Sequence, residues 1–215
     1  MNSAKWISTL ILWLMFVVSR AACAAAPDYT YMEFGIGKQS GDNLKGLYSE
    51  QVAMSAAASD HFFLYGRFGG RDYGGYRYSN RREHVTQSYA EMAGGANFGI
   101  QENADAVLRA GFLYTDTSEG GFRGDSRTAL SVGAGVRWLV TSSFELSLFY
   151  DRNAGAFDPS GLASTFGDLR AGVWQNVISP GIRWHITEHA TVGITSEYSD
   201  FQGQNRTLLI AGYYF

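Results

Sequence analysis

The sequence predicts an all-β fold: a closed antiparallel up-and-down β-barrel that crosses a membrane with ten strands, or with eight if the two weakest are absorbed into loops. Three observations predict it. First, the 215 residues are 46% hydrophobic, 15% aromatic and only 17% charged, yet the mean hydropathy is −0.14. Apolar residues are therefore interleaved with polar ones, and no window after residue 20 approaches the roughly 18 consecutive apolar residues of a membrane-spanning helix. A helical membrane protein is excluded, and a soluble globule would be short of charge for its surface. Second, almost everything after residue 28 alternates with period two, the spacing of a strand with one apolar face. Third, the connections between alternating segments are short and long in turn, as in transmembrane barrels. The length fits one domain, and 26 glycines without a Gly-X-Y period exclude collagen.

Residues 1–24 read as a cleaved signal peptide, with Lys5 ahead of an apolar run from Trp6 to Val18 and small residues around Ala22-Cys23-Ala24. An arginine at position 20 fits poorly ahead of a lipid-modified cysteine, so lipid attachment at Cys23 is not expected. The mature domain is then 25–215. Losing Lys5 and Arg20 takes the 17 basic residues to 15 against 20 acidic ones, a net charge of −5. No cysteine remains for a disulfide or thiolate metal site. No basic stripe exists to bind nucleic acid.

Ten strands are expected at 29–37, 46–58, 62–72, 86–100, 106–116, 127–139, 143–152, 172–186, 190–199 and 206–215. Each is near or above the roughly 9–11 residues that a tilted strand needs to cross a bilayer. Tight turns follow the second, fourth, sixth and eighth, around Ser59-Asp60-His61, Gln101 to Asp105, Val140 to Ser143 and Thr187-Glu188-His189. Longer polar loops are expected at 38–45, 73–85, 117–126, 153–171 and 200–205. Pro180 interrupts the eighth strand, and because proline lacks the ladder amide a bulge is expected near Ser179-Pro180.

The alternation also sorts the faces. In 130–138, Leu130, Val132, Ala134, Val136 and Trp138 share one face, and Ser131, Gly133, Gly135 and Arg137 the other. Residues 144–151 and 190–198 repeat the pattern. Glycine, serine and threonine on the polar face mix with isolated opposite charges: Glu33, Arg67, Glu91, Arg109, Arg137, Glu145, Arg183 and Glu197. These suit a narrow lumen in which arginine and glutamate pair, whereas a charge turned to mid-bilayer lipid would cost about 2–4 kcal/mol. Trp138, Trp174, Trp184, Tyr213 and Phe215 fall at the expected membrane-interface levels.

The last segment, Arg206-Thr207-Leu208-Leu209-Ile210-Ala211-Gly212-Tyr213-Tyr214-Phe215, ends on phenylalanine with an aromatic two residues before it. This closing strand resembles the assembly signal of Gram-negative outer-membrane β-barrel proteins, of the small porin-like or OmpA-transmembrane-like type. The resemblance implies export to the periplasm, insertion by the barrel-assembly machinery, residence in outer-membrane lipid and lipopolysaccharide, and long loops facing the cell exterior. It leaves the function open among pores, adhesins, structural proteins and enzymes.

The expected function is structural or weakly pore-forming and non-enzymatic, in a monomer without cofactor or metal. Eight-stranded barrels are just filled by side chains, and ten strands lie near that limit. Surface interaction through the loops is the alternative. The second long loop gathers Arg71, Arg77, Arg81 and Arg82 with Tyr73, Tyr76 and Tyr78. Arginine forks match phosphate, which makes the loop a candidate for lipopolysaccharide contact. A rim hydrolase is the third reading, with His84 near Asp72, Glu83 and Asp116 as at the outer-membrane proteases of the omptin type. Ser196-Glu197-Tyr198-Ser199-Asp200 loosely resembles a strand end of the small-barrel lipid A deacylases, but Glu197 stands where they have histidine. Neither a Gly-x-Ser-x-Gly elbow nor a His-Glu-x-x-His zinc motif occurs.

Overall fold

A computed structural model describes residues 29–41, 44–78, 81–119, 122–141, 143–154, 175–199 and 205–215. The expected signal peptide, Trp174 and most of the loop at 153–171 lie outside the described residues. The strands are β1 (Tyr31–Gly41), β2 (Leu44–Ala57), β3 (Phe62–Tyr78), β4 (Arg81–Gln101), β5 (Ala104–Glu119), β6 (Phe122–Thr141), β7 (Phe144–Ala154), β8 (Gln175–His185), β9 (Ala190–Ser199) and β10 (Asn205–Tyr214). Each is antiparallel to its neighbours in sequence, and β1 pairs with β10 to close the barrel. The closing ladder runs unbroken from Tyr31↔Tyr214 to Ser40↔Asn205. The strand count is therefore ten, and the eight-strand alternative falls.

The apolar face points outward. Leu130, Val132, Val136 and Leu148 are exposed, while Ser131, Glu145, Asp151 and Glu197 are buried. This inverts the order of a soluble protein and fits an exterior solvent of lipid. Trp138, Trp184, Tyr213 and Phe215 are all exposed and sit at the short-turn end, with the Tyr213 ring meeting Phe215 edge-on at 5.2 Å. In β2, pairing of Ala53 with Glu33 on one side and Arg67 on the other turns Ala53 inward and Glu50 outward. At the same end a small apolar cluster of Tyr29, Ala53, Ala57, Phe63, Tyr65, Ala93 and Val107 fills the barrel's interior.

Two expectations are corrected. The loops at 38–45, 73–85 and 117–126 are largely strand: β1 and β2 pair as far as Gly41↔Leu44, β3 and β4 as far as Tyr78↔Arg81, and β5 and β6 as far as Glu119↔Phe122. A period-two hydrophobic pattern reports lipid contact, so it stops where the strands leave the bilayer, although the backbone ladder does not need lipid to continue. At 21 residues β4 rises roughly 50 Å, about twice the apolar band of such a barrel. The second correction concerns Pro180. No bulge forms there: Leu148↔Pro180 keeps register with β7, and β9 pairs with β8 at Ile178↔Tyr198 and again at Gly181↔Thr195. The two pairs have the same register, so the ladder opens beside the missing amide without inserting a residue. The Thr195 hydroxyl donates to the Pro180 carbonyl at 3.3 Å within the gap.

Leu148 is 55% exposed midway along β7. Replacing it with arginine should lower the stability of the barrel in lipid vesicles by about 2–4 kcal/mol, measured by urea titration of folding. An unchanged midpoint would show that this face does not meet lipid.

Candidate functional site

The inward face carries three tiers of ion pairs. At the short-turn end, Arg137 of β6 grips Glu145 of β7 with two bonds, 3.0 and 2.7 Å. Arg183 of β8 donates to the same carboxylate at 3.2 Å and to Glu33 of β1 at 2.6 and 3.1 Å. Tyr29, just ahead of β1, stacks on Phe63 with centroids 5.1 Å apart and donates to Asp105 at 2.9 Å. Burial pushes its hydroxyl well above the ordinary phenol range, which keeps it a donor at any physiological pH.

In the middle tier, Arg109 of β5 holds Asp151 of β7 with bonds of 3.0 and 2.6 Å. Its guanidinium lies between the rings of Tyr65 and Phe149, 4.9 and 4.8 Å from their centroids. Gly133 of β6 lies beneath the pair. A Cβ there would stand 2.1 Å from an Asp151 oxygen and 2.8 Å from the Arg109 Nε, so only glycine admits it.

The third tier spans the barrel. Arg67 of β3 bonds Glu91 of β4 and reaches Glu197 of β9 at 3.1 Å; the Ser131 hydroxyl donates to Glu91 at 2.6 Å. Glu197 also receives Arg206 of β10 and Arg71 of β3 at 3.5 Å. Arg206 continues to the Tyr89 hydroxyl of β4 at 2.5 Å and to the Gln51 Oε1 of β2 at 2.8 Å. Four strand steps around the ring separate β3 from β9, and four separate β10 from β4, so these bonds cross almost the full diameter. Among the tiers remains a cavity of about 80 Å³ lined by Tyr31, Glu33, Arg67, Arg109, Arg183 and Glu197, room for a few waters.

All eight lumen candidates thus lie in this network. The sequence reading missed Arg206, Asp151, Tyr89 and the inward turn of Arg71. Counting by twos from Glu145 reaches Asp151, and Arg206 lies across the β9–β10 ladder from the inward Glu197, on the same face. Arg71 was expected on an exterior loop and is instead inward, stacked on Tyr89 at 4.8 Å, because β3 continues through it with the parity of Arg67.

No protein-family model and no curated protein matches this chain. Solved structures do. The NanC porin superposes with a TM-score of 0.50 at 11% identity, covering 86% of this chain and 99% of its own. The KdgM porin gives 0.47 at 9%, covering 86% and 99%. Ail, the attachment invasion locus protein of Yersinia pestis, gives 0.38 at 16%, covering 87% and 97%. The fold is that of the outer-membrane β-barrels.

In an outer-membrane barrel the short turns face the periplasm and the long hairpins the exterior. The β3–β4 hairpin pairs Arg77 with Arg82 and Tyr78 with Arg81 beyond the bilayer. His84 stands opposite Gly75, while Asp72 faces Thr86 and Asp116 faces Ser88. Asp116 is thus about 13 Å along the strands from His84, at ~3.3 Å per residue. Glu197, the deacylase-like position, points into the lumen and away from lipid. Among the described residues no cluster of histidine and acidic side chains has the grouping of a metal site.

Asp151 is fully buried and the Arg109 side chain is 11% exposed. Asp151→Ala strands a buried guanidinium and should destabilise the barrel by about 3–5 kcal/mol, whereas Arg109→Met with Asp151→Leu should recover most of that loss. Urea unfolding of the single and double variants in detergent measures both.

Proposed function

We propose that this protein is a monomeric outer-membrane barrel of structural type, exported by its N-terminal signal, whose lumen is closed at rest and passes small ions at most. The observation that carries this reading is the Arg67–Glu197 contact, which with the Arg206–Tyr89 contact bridges nearly opposite walls. A conducting pore needs a continuous aqueous path, and these two bridges run across it. A buried guanidinium and carboxylate hold each other far more firmly than exposed partners would, because each, once separated, is left as an uncompensated charge without water. NanC is named a porin; sharing its fold leaves conduction to be tested directly. In planar bilayers the wild-type protein should give no stable unitary steps, and the combined Arg67→Ala and Glu197→Ala variant should open them. Stable steps from the wild type would overturn the closed-lumen reading.

A second reading is supported by the exterior hairpins. β3, β4, β5 and β6 run 17, 21, 16 and 20 residues, against the roughly 10 that the bilayer needs. They raise one side of the barrel into a wall, and three arginines stand at the tip of its first hairpin. On this reading the wall binds an anionic surface partner, with lipopolysaccharide phosphates the matching chemistry. Changing Arg77, Arg81 and Arg82 together to alanine should then weaken lipopolysaccharide binding by tenfold or more, in a salt-dependent way. Unchanged binding removes the reading.

A further inference from the structure

We propose that the extracellular half of the lumen is a binding site for a small oxyanion, built from Arg71, Arg206 and Gln39. Three observations converge on it. The third tier holds three guanidiniums, Arg67, Arg71 and Arg206, against two carboxylates, Glu91 and Glu197. Glu91 is taken up by Arg67 and Ser131, so among the described residues Glu197 alone pairs with Arg71 and Arg206, and one positive charge is in excess. Arginine does not shed its proton to relieve this, and a buried charge without a counter-charge is costly.

The second observation is a set of buried polar atoms that lack a hydrogen-bond partner among the described residues. They include the Nε of Arg206, the Nε of Arg71 and both polar atoms of Gln39. Arg206 is 3% exposed and Gln39 2%, and the Arg71 side chain is 18% exposed. Buried donors are almost always paired in folded proteins, and a group of them left open at one place marks a missing partner.

The third observation is that these groups converge. Gln39 of β1 lies directly across the ladder from Arg206 of β10. Arg71 and Arg206 meet on the Tyr89 ring at 4.8 and 5.3 Å and on the two oxygens of Glu197. Ser49, fully buried on β2 between them, lies 3.5 Å from Arg206 Nη1 and opposite Arg71 in register. Donors in excess, one uncompensated positive charge and planar forks define a ligand that is negative and oxygen-bearing, a phosphate or carboxylate. The donors face the lumen, so the ligand is a solute and not a lipid headgroup. The site lies within the third tier, and its occupancy does not require that the lumen conduct.

The test is calorimetric titration of the full-length protein, in a neutral phosphate-free detergent at low ionic strength, with inorganic phosphate and separately with acetate. Saturable binding of at least one is expected, weakening as chloride is added. Arg71→Gln should weaken it about tenfold, the loss of one charge-assisted contact. Glu197→Gln should tighten it several-fold, because it removes the competing carboxylate. Gln39→Leu, which changes no charge, should weaken binding and serves if either charge variant fails to give the heat-modifiable gel shift of a closed barrel. No saturable binding by the wild type, or an affinity that Arg71→Gln and Gln39→Leu both leave unchanged, overturns the proposal.

Discussion

Closure of the sheet between β1 and β10 is the constraint on which everything else in this protein depends. In hydrocarbon a backbone amide or carbonyl has no water to turn to, so an open edge is untenable and each strand must find two neighbours. Ten antiparallel strands in a ring meet that demand. Once the ring is closed, each strand has one face toward lipid and one toward a narrow interior, and the two faces need opposite chemistries. Charges are driven inward, where a ten-strand lumen leaves too little room for each to keep its own water.

Pairing follows from that crowding. Six inward arginines meet carboxylates: Arg67, Arg137, Arg183 and Arg206 on a neighbouring strand, Arg109 two strands away, and Arg67, Arg71 and Arg183 on strands further round the ring. Glycine makes space for these long side chains: Gly133 lies under Arg109 and Asp151, and Gly95 lies under the Phe63 ring, where a Cβ would stand 2.1 Å from ring carbon. The high glycine content and low charge content of the chain are thus two sides of one packing problem. Not every group is matched: among the described residues the Nε of Arg71, the Nε of Arg206 and both polar atoms of Gln39 are buried without a hydrogen-bond partner, as are Ser55, Ser179 and His185 on other strands.

Much of this was legible in the chain. Alternation located all ten strands, reproduced β9 at 190–199 without error, and set Trp138 and Trp184 on the outer face. The hairpin extensions of β3 to β6 were not legible, because the signal depended on lipid contact and the backbone ladder continues past the part of each strand that carries it. Pro180 was misread for a related reason: the missing amide was visible, but whether the chain would bulge or merely skip a pair depends on the register of β7 and β9 together.

The sequence by itself determined that this is a membrane barrel and turned Glu33, Arg67, Glu91, Arg109, Arg137, Glu145, Arg183 and Glu197 inward, since both follow from a period-two pattern that each strand carries locally; ring closure decided between ten strands and eight. Only the tertiary structure decided which inward charges meet. Arg67 and Glu197 are 130 residues apart and Arg183 and Glu33 are 150 apart, and nothing local distinguishes those partners from any other arginine and glutamate of the same parity. Their heights in the barrel are set by strand tilt and by the bulges that shift register, such as those at Gln39/Gly41 and Leu139/Thr141. Register is a property of pairs of strands, and so the site it builds exists only once the ring has closed.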